Sequence, residues 1–158
     1  MNVIKILLKE INNTEFLSLQ EQPLSCTIGK EEYEIIDKFG DLKLEGVVIL
    51  NYVPVRSEGR MNFEERFLNR PRKIENENGF RAIRIMRPMN SNTYVILSQW
   101  DSENSFRNWQ NSNAYSHAHK HRGTKKGIDQ EEGVLKDKPY HRIYNVSVND
   151  YGYVEVNE

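Results

Sequence analysis

The order of apolar patterns after Gly46 restricts the possible folds more than any other feature of this sequence. Alternating apolar residues predict strands, and apolar residues spaced three or four apart predict helices. In chain order these are a strand in GVVILNYVPVRSEGR, a helix in NFEERFLNRPRKIENENG, strands in FRAIRIMRP and NTYVILSQW, short helices in DSENSFRNWQ and SNAYSHAHKH, and one or two closing strands in PYHRIYNVSVNDYGYVEV. The mixture predicts an α+β fold, an antiparallel sheet with helices on one face.

The residues before Gly46 predict an extension of the main domain. VIKILLKEI and NNTEFLSLQ predict two short strands, and KEEYEIIDKFG places Tyr33, Ile36 and Phe39 at helical spacing. Residues 1–45 are therefore expected to form a strand-strand-helix unit that packs on the domain of residues 46–158. Within that domain, Pro71 is expected to kink the helix that carries Phe63, Phe67 and Ile74 on one face.

Composition and charge exclude several classes of protein. The chain has 158 residues, of which 37% are hydrophobic, so a packed core is expected rather than disorder. Its 22 basic and 23 acidic residues nearly cancel, and the net charge of -1 disfavours nucleic acid as a partner. No apolar run is long enough to span a membrane, and no secretory leader is recognisable. A cytoplasmic protein is expected, and the single cysteine, Cys26, is interpreted as a small core or turn residue.

Asn51 is unusual within the strand that follows Gly46. Alternation places it on one face with apolar residues only, which are Val47, Ile49, Val53 and Val55. An amide in apolar surroundings costs free energy unless it finds hydrogen-bond partners. Asn51 is therefore either satisfied by backbone or water, or available to a ligand, and the pattern alone leaves both possibilities open.

A second group of candidate residues lies between residues 106 and 122. Phe106 and Trp109 are three apart on one predicted helix, and Tyr115 and His119 are four apart on the next. Aromatic residues at this spacing often belong to a core, and a single histidine is often structural. Although His117, His119 and His121 alternate, spacing of two on a helix does not bring side chains together, which disfavours zinc. One imidazole nevertheless suffices as a protein ligand for heme iron.

Basic residues follow the histidines directly. His121, Arg122, Lys125 and Lys126 form either a solvated loop or, with Arg84 and Arg87, a group that pairs with carboxylates of a ligand such as heme. The sequence contains no glycine-rich phosphate loop, no GxSxG and no HExxH. Hydrolase, kinase and nicotinamide-dependent dehydrogenase functions therefore lose their usual support.

The segment from FEERFLNRPRKIENENGFRAIRIMRP through TYVILSQWDSENSFRNWQNSNAYSHAHKHRG resembles the antibiotic biosynthesis monooxygenase domain. Within that group it is most similar to IsdG-type heme-degrading monooxygenases, and specifically to the HmoB type with an N-terminal extension. The resemblance implies a ferredoxin-like fold and a heme site formed by Asn51, Trp109 and His119, with His119 as the iron ligand. Phe106, Tyr115 and Arg122 are expected to contact the heme as well.

The resemblance also implies the reaction. Heme is both cofactor and substrate, dioxygen is consumed, and a reductase or small reductant supplies electrons from outside the chain. Asn51 is implied to donate a hydrogen bond to the bound oxygen, and Trp109 to distort the porphyrin so that the ring opens and iron is released. The extension is expected to occupy the place of a second protomer, which predicts a monomer, with a homodimer as the alternative.

Two other functions remain open at this point. The staphylococcal regulatory proteins of the TRAP type resemble the same architecture but lack the tryptophan and histidine present here. A cofactor-independent monooxygenase of the same domain type, acting on a small aromatic substrate, needs no iron ligand. Fold alone does not decide among these possibilities.

Overall fold

The computed structural model describes residues 2–13, 15–112, 134–147 and 154–157. Within these ranges it contains nine strands, two α-helices and two short 3₁₀ helices. The strands are β1 (Asn2–Glu10), β2 (Phe16–Glu21), β3 (Ser25–Ile28), β4 (Glu31–Phe39), β5 (Val47–Pro54), β6 (Phe80–Pro88), β7 (Thr93–Trp100), β8 (Tyr140–Ser147) and β9 (Val154–Asn157). The α-helices are α1 (Arg60–Leu68) and α2 (Glu103–Gln110), and the 3₁₀ helices are Ser57–Gly59 and Lys73–Asn76.

Eight of the strands close into a ring. Their order is β2-β3-β4-β6-β7-β5-β8-β1, and β1 also pairs with β2, which joins the two ends. The strand pairings in this ring are antiparallel, and β9 pairs with the first half of β1 beside β8. The described part of the chain therefore forms a closed barrel in which each ring strand has a partner on both sides, with β9 added at the end of the sheet beside β1.

Half of the barrel is the predicted ferredoxin-like unit. Its elements run β5, α1, β6, β7, α2, β8 along the chain, and its strands lie in the order β6-β7-β5-β8. The expected succession of strand, helix, strand, strand and helix after Gly46 is confirmed. The other half consists of β1 to β4, which join this unit through β6 on one side and β8 on the other.

The main core fills the barrel interior. All eight ring strands contribute buried side chains to one apolar cluster, including Leu8, Leu50 and Leu97. Two smaller clusters lie outside the ring, one around Phe63 of α1 and one around Phe106 of α2. Cys26 belongs to the interior, as its interpretation as a core residue required, and burial raises the pKa of its thiol to about 12.

The predicted helix at the end of the extension is wrong, because EEYEIIDKF forms β4 instead. A β-bulge between Ile35 and Asp37 shifts the alternation of this strand. As a result, Tyr33 packs inside the barrel while Phe39 lies half-exposed outside it against Phe80. Residues at helical spacing therefore lie on opposite faces of this strand. Pairing with β3 and β6, and not the local pattern, determines the conformation of the segment.

The helix predicted to run to Gly79 is shorter than expected. α1 ends at Leu68 and is followed by the 3₁₀ helix Lys73–Asn76, so Pro71 separates two helical pieces and does not kink one. Phe63 and Phe67 do share a face, as predicted, in the cluster under α1. Ile74 instead packs against the cluster under α2.

A buried ion pair joins the two halves of the barrel. Arg84 of β6 is 2% exposed, and its Nε lies 2.8 Å from a carboxylate oxygen of Glu21 on β2. Arg84 also donates hydrogen bonds to the carbonyl oxygens of Phe39 and Ile83. Breaking a buried pair is costly because the remaining charge loses its partner in surroundings that solvate it poorly.

We predict that Arg84→Met lowers the free energy of unfolding by about 3–5 kcal/mol, because it leaves the Glu21 carboxylate buried without its cation. Urea unfolding at neutral pH measures the change. The double variant Arg84→Met with Glu21→Leu should recover much of the loss, since it removes both charges. A double variant no more stable than the single variant would contradict this account of the pair.

Candidate functional site

The candidate site begins with the outward face of β5. Val48 and Leu50 point into the barrel, so the intervening residues point outward, as the alternation predicts. Val47 and Ile49 pack in the cluster under α2, whereas Val53 and Val55 pack in the cluster under α1. Asn51, the one polar residue of that row, lies between the two clusters.

The side chain of Asn51 is half-buried, and it makes no hydrogen bond with any residue in the described ranges. Its cross-strand neighbours are Ile96 of β7 and His141 of β8, which therefore share its outward face. The amide thus offers donors and an acceptor beside apolar surface. This arrangement suits a ligand that is mostly apolar and carries a few polar groups.

Trp109 lies on α2, next to this face. The helix begins after Ser102, whose Oγ accepts a hydrogen bond from the backbone N–H of Ser105 at 3.2 Å. Phe106 is buried, and the half-buried Trp109 packs against it with ring centroids 6.2 Å apart, which confirms their predicted shared face. Because the cluster they enter includes Ile49, this aromatic group adjoins the outward row of Asn51.

Trp100 supports the indole of Trp109. It is fully buried at the end of β7, with its ring centroid 5.6 Å from that of Trp109. Edge contacts to Phe80 and Phe106 surround it, and its Nε1–H donates to Ser98 Oγ at 3.1 Å. The sequence analysis did not assign Trp100 to the site, although the alternation in NTYVILSQW places it on the outward face.

The remaining predicted site residues lie outside the described residues. His119, Tyr115 and Arg122 belong to the segment 113–133, as do His117, His121, Lys125 and Lys126. Their expected roles stay predictions. Among the residues that the structure describes, no three histidine, cysteine or acidic side chains are grouped so that they hold a metal ion.

The two arginines proposed as partners of a ligand carboxylate already have protein partners. Arg84 points into the barrel, away from the outward face, because it lies two residues from both Ala82 and Met86 of the interior cluster and shares their face of β6. Arg87 lies 2.8 Å from Glu64 of α1 through Nε and 3.3 Å from Glu34 of β4. Their interpretation as ligand-binding residues is therefore wrong for Arg84, and Arg87 is committed to holding α1 on the barrel.

Glu64 is the centre of this α1 contact. Its carboxylate accepts hydrogen bonds from Arg87 and from the Tyr94 hydroxyl, while the guanidinium of Arg60 lies over the Tyr94 ring. The hydrogen bond from Arg87 holds the pKa of Glu64 below its ordinary value of 4.5. An ionised Glu64 thus fixes α1 beside the outward face of the barrel.

His141 is a member of the site that sequence reasoning did not assign. Its ring centroid lies 6.2 Å from that of Phe106, and the strand register places it directly opposite Asn51. Its position depends on the pairing of β5 with β8, which are separated by most of the domain. No local pattern in PYHRIYNV indicates that neighbour.

We predict that Glu64→Gln lowers the free energy of unfolding by about 1–3 kcal/mol near neutral pH, because the charge-assisted hydrogen bonds to Arg87 are lost. Since the pKa of Glu64 is lowered in the folded state, the wild-type advantage is complete above pH 4.5 and shrinks as the pH falls below that value. Urea unfolding over a pH series measures the difference. Glu65→Gln, at the exposed neighbouring position, is the control, and a pH-independent difference for Glu64→Gln would contradict the assignment.

None of the helices among the described residues has the length and apolar character needed to cross a bilayer.

Comparison with known proteins agrees with this architecture. Residues 46–121 match the family model described as antibiotic biosynthesis monooxygenase. A heme-degrading monooxygenase of Listeria monocytogenes is 30% identical over 81 residues, which are 51% of this chain and 48% of that protein. The aligned region thus spans about half the length of that curated relative.

Solved structures extend the similarity to most of the chain. LmHde, a heme-degrading enzyme from Listeria monocytogenes, superposes with a TM-score of 0.62 at 22% identity, covering 92% of this chain and 99% of that one. A major regulator of staphylococcal pathogenesis superposes with a TM-score of 0.63 at 15% identity, covering 91% and 98%. At these identities the superpositions concern the fold. The chain thus has a ferredoxin-like α+β fold, and its residues 46–121 are similar to the antibiotic biosynthesis monooxygenase family.

Proposed function

We propose that this protein is a heme-degrading monooxygenase, of the IsdG type and closest to its N-terminally extended HmoB members, that binds heme on the outward face of β5. The observation that carries the proposal is the half-buried amide of Asn51, which has no hydrogen-bond partner among the described residues and lies in an apolar row beside the Trp109 cluster. A relative with 30% identity over half the chain carries the name heme-degrading monooxygenase, which supports the same substrate.

The described residues fit a porphyrin in their chemistry. A porphyrin is broad, planar and mostly apolar, and it is bound best by apolar and aromatic walls with a few polar groups. Ile49 and Ile96 supply apolar surface around Asn51, and Trp109 supplies an aromatic wall that Phe106 and Trp100 support. When bound, heme supplies the iron at which dioxygen reacts, and its own ring is the substrate that is opened.

Each residue has a distinct task in this proposal. The Asn51 amide donates a hydrogen bond where negative charge develops on oxygen, and a preorganised donor at that position lowers the barrier. The indole of Trp109 packs against the macrocycle. Trp100 contacts this indole from the protein side and so restricts its movement away from the macrocycle. His119 supplies the imidazole that ligates iron, with Tyr115 and Arg122 as further contacts from the same segment.

The remaining components come from outside the chain. Dioxygen and electrons from a reductase or small reductant complete the reaction, and iron is released as the ring opens. We place the protein in the cytoplasm, where such reductants are available. A monomer is the proposed state, supported by the use of β1 to β4 as the second half of the barrel. Sedimentation velocity at micromolar concentration tests this state, and a tight dimer would contradict it.

Titration of the purified protein with heme, followed by ascorbate in air, tests the function. We expect stoichiometric binding and then loss of the heme absorption with release of chelatable iron. Asn51→Ala should retain binding and slow degradation about 10- to 1000-fold, because one oxygen-directed donor is lost. Asn145→Ala is the matched control, since Asn145 is an exposed outward asparagine on β8, and it should behave as the wild type.

Two further variants separate this function from the alternatives. His119→Ala should abolish iron ligation, and Trp109→Phe should keep binding but slow degradation. A cofactor-independent monooxygenase would stay active on its aromatic substrate after His119→Ala. Absence of saturable heme binding would contradict the proposal and favour a regulatory protein on the same fold.

A further inference from the structure

A groove of about 540 Å³ adjoins the outward face between the end of β1, helix α2 and strand β8. His141 lines it from strand β8 and Arg107 lines it from helix α2. Because His141 is directly opposite Asn51 in the register, the groove continues the row of Asn51 outward across β8. Both side chains also contact the ring of Phe106, which places them around one aromatic group.

The two arginines of the groove, Arg142 and Arg107, differ in the strength of their ion pairs with neighbouring carboxylates. Arg142 lies 3.1 Å from Glu10 and packs over the Tyr140 ring, so these two charges neutralise one another. Arg107 lies 3.3 Å from Glu103 one helical turn away, and both side chains are more than 40% exposed. Arg107 also donates a hydrogen bond to Gln110 at 3.0 Å. Exposed contacts of this kind are weak, so replacing them with contacts to a ligand costs Arg107 little free energy.

A porphyrin bound at Asn51 also covers the strands beside β5, because neighbouring strands are only about 4.8 Å apart and the macrocycle is wider than that spacing. One edge of heme carries two carboxylates, which need donors when they leave water. We propose that His141 and Arg107 bind these carboxylates, so that the groove holds the polar edge of the substrate. The inference rests on the proposed function, since it assigns an orientation to the porphyrin in that site.

Binding of metal-free protoporphyrin IX and of its dimethyl ester to the full chain tests the inference. The free porphyrin has both carboxylates and the ester has none, and the absence of iron removes the contribution of His119. Quenching of tryptophan fluorescence measures both affinities, and thermal unfolding confirms that each variant is folded. We expect His141→Phe and Arg107→Gln each to weaken the diacid about tenfold while the affinity for the ester stays unchanged.

Two further variants complete the design. His141→Gln keeps a hydrogen-bond donor and should lose less affinity for the diacid than His141→Phe. Lys43→Gln, which removes one positive charge from a part of the surface outside this groove, should leave both affinities unchanged. Unaltered binding of the diacid to both groove variants would overturn the inference, and equal losses for diacid and ester would show apolar packing instead.

The outcome is separable from that of the proposed function. A selective loss for the diacid in a protein that does not degrade heme would keep the carboxylate site and refute the enzyme. Heme degradation with no selective loss would keep the enzyme and refute the carboxylate site. A wild-type protein that binds neither porphyrin would contradict both.

Discussion

Closure of the eight-stranded ring is the constraint on which the rest of this structure depends. Once β1 pairs with both β2 and β8, each ring strand must turn one face into a shared apolar interior. Protein interiors are close-packed, and this one is filled by side chains from all eight strands. A large ligand therefore has its place outside the ring, where α1 and α2 stand apart over the outward face and leave Asn51 between them.

The same closure explains why Arg84 and Arg87 of β6 have different environments, one inside the barrel and one outside it. Alternation sends Arg84 inward, where Glu21 from the other half of the barrel neutralises it, and sends Arg87 outward to Glu64 of α1. The first contact fastens the extension to the domain, and the second fastens a helix to the barrel. Both ion pairs hold parts of the fold together, so in the proposed site the polar contacts to a ligand are assigned to Asn51 and to residues around α2.

Local sequence patterns predicted the strands and helices well where alternation or helical spacing of apolar residues determines them. The alternation of β5 correctly isolated Asn51, and the spacing of Phe106 and Trp109 correctly predicted a helix in DSENSFRNWQ. The same reasoning failed for β4, because its apolar residues have helical spacing in the sequence but lie on opposite faces of a bulged strand. The positions of Arg84 and His141 depend on strand pairing across long stretches of chain, and a single sequence does not encode that pairing in any local pattern.

The most direct test of the proposed site is an NMR measurement of which residues a bound porphyrin contacts. Gallium protoporphyrin IX is redox-inert, and its ring current shifts the NMR signals of nearby groups in ¹⁵N-labelled protein. The account predicts large shifts for the Asn51 side-chain amide and the indole N–H of Trp109, and small shifts for backbone amides beside interior residues such as Leu8 and Leu19. Shifts centred on the barrel interior, with Asn51 and Trp109 unaffected, would contradict it.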